Sequence, residues 1–399
     1  MMDAKNETAL PATALGVARG QRIAAAGVAA LIVAAGVALA SSPDTQALTL
    51  SLAFGALFGF VLQRARFCFY CIWRDYIVAR DPRGMLGILT ALAVGLAGYT
   101  LVFGAWLPDP SGTRLPPDAH IGPVGPAVAL AGLVFGFGMA VSGSCLSAHL
   151  YRLGEGSPVA PFALIGAMLG FVFGFLTWNP IYLAWVSASP VLWLPRHLGY
   201  GGALAAALAV LGLVALSLLR QWRPSPRAET PLAAIFVDRW PTWIGGLAIG
   251  AIGTATYLRV APLGVTAEIG ARSRAAANTL GLLPERLEGL DQFRGCATMI
   301  RDALLTPNGV FVMALVAAAF AAALAAGQFQ PRRPTFRDAA RGLGGGVLLG
   351  WGAMTGLGCT IGTLLSGISA GAVSGWVFGF AAYGGVWLAL AVSRRLQRA

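Results

Sequence analysis

Five cysteines could do chemistry in this chain of 399 residues, and three of them recur at one spacing. Cys68, Cys145 and Cys359 each stand nine residues after the second glycine of a Gly-x-x-x-Gly pair. A thiol at the start of a short helix gains thiolate character from backbone N–H groups, and it offers a soft sulfur and a weak S–H donor. Such thiols suit a soft anion that carries sulfur or selenium. A role as small apolar fillers is the alternative, because free cysteine is often buried.

The same pattern occurs four times. Its glycine pairs are Gly55 and Gly59, Gly132 and Gly136, Gly346 and Gly350, and Gly246 and Gly250, and the last copy has Arg259 at the cysteine position. Small-residue stripes let membrane helices pack closely. Polar, glycine-rich breaks follow, as in "SGSCLSAHLYRLGEG" and "GLGCTIGTLLSGISAG". A short helix that re-enters the membrane after a break aims its N–H groups at the centre, which favours an anion.

We therefore predict a pathway along these breaks. Beside the three repeated cysteines, its predicted lining is Gly143, Ser144, Gly358, Thr360 and His149. Secondary candidates are Cys71, Cys296, Arg259 and Glu268. Glu268, Arg152 and Glu155 are charged residues near breaks, and for them a place on a solvated face is the alternative to a role in the pathway.

Cys68 and Cys71 form a C-x-x-C pair, which in a soluble protein is typical of a redox pair or half of a zinc site. The chain has no second such pair, and among its three histidines only His149 has helical spacing from a cysteine, Cys145. We therefore predict no metal and no cofactor, and interpret His149 as a polar pathway or helix-cap residue.

Motifs of common catalytic sites are absent from the sequence. It contains no G-x-S-x-G, no phosphate loop ending in Gly-Lys and no H-E-x-x-H. No catalytic residue is predicted, and energy from ATP bound to this chain is not expected.

The composition dictates the elements that must position these residues. Hydrophobic residues make up 57% of the chain and charged residues 11%, against about 25% charged in soluble domains. Apolar blocks of membrane-span length predict an all-α polytopic membrane protein with about ten spans. The predicted spans are 23–41, 47–63, 84–107, 127–142, 159–177, 200–219, 241–257, 307–327, 344–358 and 376–393.

The net charge of +12 comes almost entirely from arginine. These charges lie in short runs between apolar blocks, which excludes a nucleic-acid protein. The basic loops 64–83, 220–240 and 328–341 and the C-terminal tail fall on one side, so the positive-inside rule predicts cytoplasmic N- and C-termini. The first block could instead be a signal peptide, but its length favours a retained helix.

The repeats run in opposite directions on this topology, which predicts an inverted repeat with a central site. The predicted sections are a tail and extra helix at 1–46, a first half at 47–199, a connecting span and loop at 200–240, an inverted second half at 241–393 and a basic tail at 394–399.

The segments "GFGMAVSGSCLSAHLYRLGEG" and "WGAMTGLGCTIGTLLSGISAGAVSGW" resemble the two cysteine motifs of the YeeE/YedE family of sulfur-transport membrane proteins. "APLGVTAE" and "DQFRGCATMIRDA" also occur in the family's order, and the resemblance covers most of residues 50–395. The sequence departs from the family at Ser144, where a glycine is usual, at His149 and in its extra N-terminal helix.

The resemblance implies a permease for thiosulfate or a related inorganic sulfur anion, with nine core spans and short membrane-embedded helices. It implies that Cys68, Cys145 and Cys359 relay the anion through S–H contacts. It also implies a small cytosolic TusA-like sulfur-carrier protein as partner, and for some members a link to selenium. A membrane sulfurtransferase or thiol oxidoreductase that uses Cys68 and Cys71 is the alternative from another class, and a structural or receptor subunit would leave the repeated breaks unexplained.

Overall fold

The computed structural model describes residues 12–221, 235–290 and 305–396, and its regular structure is helical. Strand-like pairing in these ranges is limited to two isolated bridges, Pro123 with Val191 and Trp193 with Ala372. The helices in chain order are α1 Ala12–Ala40, α2 Gln46–Ala65, α3 Phe69–Ala79, α4 Arg83–Trp106, α5 Pro126–Ser142, α6 Leu146–Gly154, α7 Ala160–Ile181, α8 Leu194–Leu219, α9 Thr242–Arg259, α10 Thr266–Thr279, α11 Pro307–Ala325, α12 Phe336–Thr355 and α13 Val373–Leu396. Two π-helical segments follow α7 and α12, at Tyr182–Val186 and Thr360–Ser366, and a helical turn at Gly367–Ser369 continues the second.

Eight helical segments in the described ranges are long and apolar enough to cross a membrane, and a bent pair formed by α12 and the segment after it makes nine. The predicted all-α, polytopic membrane fold is confirmed. The seventh of the ten predicted spans, 241–257, forms α9, which is not among these nine. Its sequence, TWIGGLAIGAIGTATYLR, includes three threonines, four glycines and an arginine, which lower its mean hydropathy.

The predicted glycine stripes are the places where long helices touch. On α2, a Cβ added at Gly55 or Gly59 would clash with the backbone of Phe311 or Leu315 on α11. On α9, a Cβ at Gly246 would clash with the Gly87 carbonyl of α4, and one at Gly250 would meet the Ala91 oxygen at 2.7 Å. Only glycine allows backbones to approach this closely.

The other two stripes pack in the same way. Gly132 and Gly136 of α5 lie against the backbones of Phe378 and Ala382 of α13. Gly346 and Gly350 of α12 lie against those of Ala163 and Ala167 of α7. The four copies of one sequence pattern therefore make four helix contacts of one kind.

Corresponding helices of the repeat run antiparallel where they meet. Gly138 of α5 lies beside Gly345 of α12, whereas Gly352, further along α12, lies beside Ala131, earlier on α5. The end of α2 likewise meets the start of α9, because Ala65 touches Gly245. An inverted repeat requires this arrangement, and the division of the chain into halves at 47–199 and 241–393 stays a prediction.

Candidate functional site

Each of the three repeated cysteines is the residue immediately before a short helical segment. A left-handed residue precedes each of them: Arg66 at φ 48°, Gly143 at φ 85° and Leu357 at φ 56°. Cys68, Cys145 and Cys359 then adopt extended backbone at the N-caps of α3, α6 and the π-helical segment Thr360–Ser366. The axes of α12 and the segment after it differ by 42°. The predicted breaks are thus present at all three cysteines.

The breaks of the first and second copies meet at Cys68. Its Sγ lies 3.5 Å from the Ser144 Oγ, and the thiols of Cys145 and Cys71 are its other side-chain hydrogen-bonding neighbours. The Cys145 Sγ is 3.4 Å from the Ser147 Oγ. Cys68 and Cys145 are fully buried, whereas Cys71 is partly exposed. Two helix breaks therefore bring three thiols and two hydroxyls into one polar cluster inside an apolar core.

The breaks of the third and fourth copies meet at Cys359. This buried thiol lies beside the backbone N–H groups of Ile361 and Gly362 and the hydroxyl of Thr266, the first residue of α10. The neighbouring Thr360 Oγ1 is buried and makes no hydrogen bond to any described residue. Backbone donors, a thiol and unused hydroxyls are groups that can replace part of the hydration of an anion.

A model of the sulphur transport family matches residues 64–388. The chain belongs to this family. The match spans every break described above and confirms the resemblance to the YeeE/YedE group that the cysteine motifs indicate. It identifies the protein as a membrane transporter, as predicted, and not as the alternative enzyme.

Proteins named as transporters or probable transporters are similar to this member of the family. The thiosulfate transporter TsuA of Spirochaeta thermophila is 29% identical over 340 residues, which cover 81% of this chain and 92% of that protein. The thiosulfate transporter TsuA of Escherichia coli is 27% identical over 354 residues, covering 84% of this chain and 91% of that protein. The probable transporter YedE of Escherichia coli is 27% identical over 187 residues, which cover 47% of this chain and 44% of that protein.

In the copy with Gly246 and Gly250, the residue at the cysteine position of the sequence pattern does not lie at the cysteine position of the structure. Arg259 is the exposed last residue of α9, and residues 260–265 separate it from α10. Thr266 reaches the position beside Cys359 instead. Counting nine residues from the glycine misses Thr266, because the connection in this copy is longer than in the other three.

The remaining predicted residues lie around these clusters. His149, on α6, is buried, and neither of its ring nitrogens hydrogen-bonds to a described residue. Glu268, on α10, accepts bonds from Arg272 at 2.6 Å and from the Thr306 hydroxyl at 2.8 Å. Cys296 lies outside the described residues. Within the described ranges, no group of three His, Cys, Asp or Glu side chains is arranged to hold a metal ion.

A polar network that the sequence did not predict lies where α2 ends. Arg64 is completely buried and donates to the carbonyls of Phe236 and Val237 and to the side chains of Gln63 and Gln328. Gln63 in turn donates to Glu155 at 3.2 Å. The network ties the first break to α6 and to the chain that follows α11. No repeat or motif marks Gln63 and Gln328, so only their contacts identify them.

At the opposite end of α5, a small open cavity lies beside the break before Cys359. Its lining includes His120, Thr355, Leu357, Thr363 and Ser374. Burial lowers the pKa of His120, in the loop before α5, from 6.5 to about 4, so its ring is neutral near pH 7. The Thr355 hydroxyl is buried with no hydrogen-bond partner in the described ranges. Neutral donors thus face this cavity.

Proposed function

We propose that this protein imports thiosulfate or a related inorganic sulfur or selenium anion across the bacterial inner membrane. The observation that carries the proposal is that three of the four breaks of a sulphur transport fold each begin a short helical segment with a buried cysteine. The two TsuA relatives are named thiosulfate transporters and align along nearly their whole length.

In the proposed path, the anion enters from the cavity at His120 and passes Cys359, then Cys145 and Cys68. Leu357 and Thr363 of the cavity lining flank Cys359 in the chain, and Cys145 neighbours Cys68. A charged ion pays a large desolvation cost in an apolar core unless polar groups replace its water. N–H groups at the segment starts and the hydroxyls of Ser144, Ser147 and Thr266 would supply that replacement, while thiols contact the terminal sulfur.

Orientation follows from the basic loops. The positive-inside rule puts the loops after α2 and after α11 in the cytoplasm, together with both termini. The cavity at His120 then faces outward, and the cluster of Cys68 lies toward the cytoplasm. A small TusA-like sulfur-carrier protein would accept the imported sulfur at that end.

Uptake of radiolabelled thiosulfate into cells that lack other importers tests the proposal. Expression of the protein should produce saturable uptake, and Cys145→Ala and Cys359→Ala should each reduce it at least about tenfold, the effect of losing about 1.4 kcal/mol of stabilisation at a step of the path. Cys145→Ser keeps a small hydrogen-bonding group and separates loss of polarity from loss of sulfur. Wild-type rates in both alanine variants would refute the cysteine path, and no uptake by the wild type would refute the substrate.

A further inference from the structure

Cys71 and Arg152 form a cluster that a three-cysteine path leaves unused. Arg152, on α6, donates from Nη2 to the Cys71 Sγ at 3.1 Å and from Nη1 to the Gly143 carbonyl at 3.4 Å. Tyr151 is its other side-chain hydrogen-bonding neighbour. The contact joins α3 to α6, so the residues that follow the first and second breaks meet here.

The charge of Arg152 is not neutralised by a carboxylate. Within the described part of the chain, no Asp or Glu oxygen lies within 4.0 Å of its guanidinium. The nearest acid in sequence, Glu155, accepts a hydrogen bond from Gln63 instead. Two further arginines lie close by: Arg341 donates to the Val141 carbonyl, and Arg74, which is paired with Asp75, acts electrostatically on Cys71. The guanidinium of Arg152, which has no carboxylate partner among the described residues, can attract an anion.

Among the four thiols in the described ranges, Cys71 is the most exposed. Cys68 and Cys145 are fully buried, whereas Cys71 is partly exposed. Arg152 lies beside the end of α5 and three residues before Glu155, whose carbonyl accepts a bond from Gln330 in the loop after α11. An anion that leaves the buried cluster of Cys68 toward this loop passes Cys71 and Arg152 next.

We propose that Cys71 and Arg152 form a two-point binding site for an inorganic sulfur oxyanion at the predicted cytoplasmic end of the path. The guanidinium takes the oxygen atoms, for which its planar donors are suited, and the Cys71 thiol touches the terminal sulfur. A bound anion takes over the Arg152 donor that now points at Cys71. The inference rests on the proposed function. It adds a fourth thiol and a fixed positive charge to the proposed path, as the last binding site before the anion is released.

Thiol labelling of the purified full-length protein in detergent tests the site without relying on transport or orientation. The two reagents are (2-sulfonatoethyl) methanethiosulfonate, which is an anion, and [2-(trimethylammonium)ethyl] methanethiosulfonate, which is a cation. Both form a mixed disulfide with the thiol and release methanesulfinate. Mass spectrometry with peptide fragmentation measures labelling at Cys71 separately from Cys68. The ratio of the two rates isolates the local charge, because a change in the reactivity of the thiol itself affects both reagents.

We expect the ratio of anionic to cationic labelling rates at Cys71, divided by the same ratio for a small thiol in solution, to be about ten, and Arg152→Gln to lower this normalised ratio toward one. Arg152→Lys keeps the charge and should keep most of the preference. Arg83→Gln is the matched control, because Arg83 is exposed and paired with Asp81. Thiosulfate should slow labelling at Cys71 more in the wild type than in Arg152→Gln, a comparison that corrects for reagent consumed by thiosulfate itself. Sulfate, which has no terminal sulfur, should slow labelling of the wild type less.

A normalised ratio of one in the wild type, a normalised ratio that Arg152→Gln leaves unchanged, or no protection by thiosulfate would each overturn the site. If Arg152→Gln does not fold, the wild-type ratio and the protection measurement still decide. Normal thiosulfate uptake without a charge preference at Cys71 would refute this site alone. A charge preference and protection by a sulfur oxyanion, without any thiosulfate uptake, would refute the proposed function and leave the site standing.

Discussion

The glycine stripes lead to a prediction that can be worked out from the geometry of α12. A Cβ added at Gly350 would clash with the Ala167 carbonyl oxygen and lie 2.8 Å from the Ala167 carbonyl carbon and the Phe171 nitrogen. Ordinary contacts begin at 3.4 Å, so the distance between α12 and α7 must increase by at least 0.6 Å (3.4 − 2.8) at this point, and both atoms belong to the backbone of α7 and cannot rotate away as a side chain can. Overpacking of this kind costs about 1–3 kcal/mol. Gly344, on the same helix, has no atom within 4 Å of its added Cβ.

Both Gly344→Ala and Gly350→Ala should gain up to about 1 kcal/mol from helix propensity, but only Gly350→Ala carries the overpacking cost, so the two variants should differ in stability by about 1–3 kcal/mol. Unfolding of the purified variants in mixed detergent micelles, followed by tryptophan fluorescence, measures this difference. Thiosulfate uptake by Gly350→Ala should also fall, because α12 carries the break before Cys359. Equal stabilities of the two variants would refute the conclusion that the stripe sets the distance between α12 and α7.

Three further outcomes follow from the described contacts. Arg64→Gln should lower the free energy of unfolding by about 2–3 kcal/mol in the same micelle assay, because buried carbonyls lose their donor, whereas Arg66→Gln, at an exposed position, should have almost no effect. Thr266→Val should raise the KM of uptake several-fold without changing stability, and an unchanged KM would remove Thr266 from the path. The pKa of His120 is about 4 in the folded protein against an ordinary value of 6.5, so the unfolded chain takes up a proton first as the pH falls. About 3 kcal/mol of the free energy of unfolding is therefore present above pH 6.5 and lost as the pH falls toward 4. Between pH 7 and pH 4.5 the wild type should then lose more stability than His120→Gln, and equal losses would contradict the assignment.

The membrane fold and the breaks were predictable because they depend on local chemistry. Apolar blocks must be helical in a bilayer, and a run rich in glycine and polar residues favours the end of a helix. The left-handed backbone at Gly143 and the extended backbone at Cys145 follow from the four residues Ser-Gly-Ser-Cys at 142–145. The repeated spacing of Gly59 and Gly136 also predicted close helix contacts, because stripes of small residues let two membrane helices approach each other.

Contacts between distant segments were not predictable in the same way. The place of Thr266 beside Cys359 depends on the length of the connection at 260–265, which no periodicity encodes. The bond from Arg152 to Cys71 joins residues 81 positions apart. Sequence reasoning treated Arg152 as a charged residue near a break, and only the packing of α6 on α3 gives its guanidinium a defined neighbour.

The four glycine contacts also limit how the transporter can move. Each one joins a helix of the first predicted half to a helix of the second: α2 to α11, α9 to α4, α5 to α13 and α12 to α7. Rocking one half against the other would have to separate all four seams at once, with the loss of every close backbone contact. Motion confined to the short segments after the breaks disturbs none of them. The interlocked frame therefore favours a fixed scaffold with small, local gates over alternating access by rigid halves.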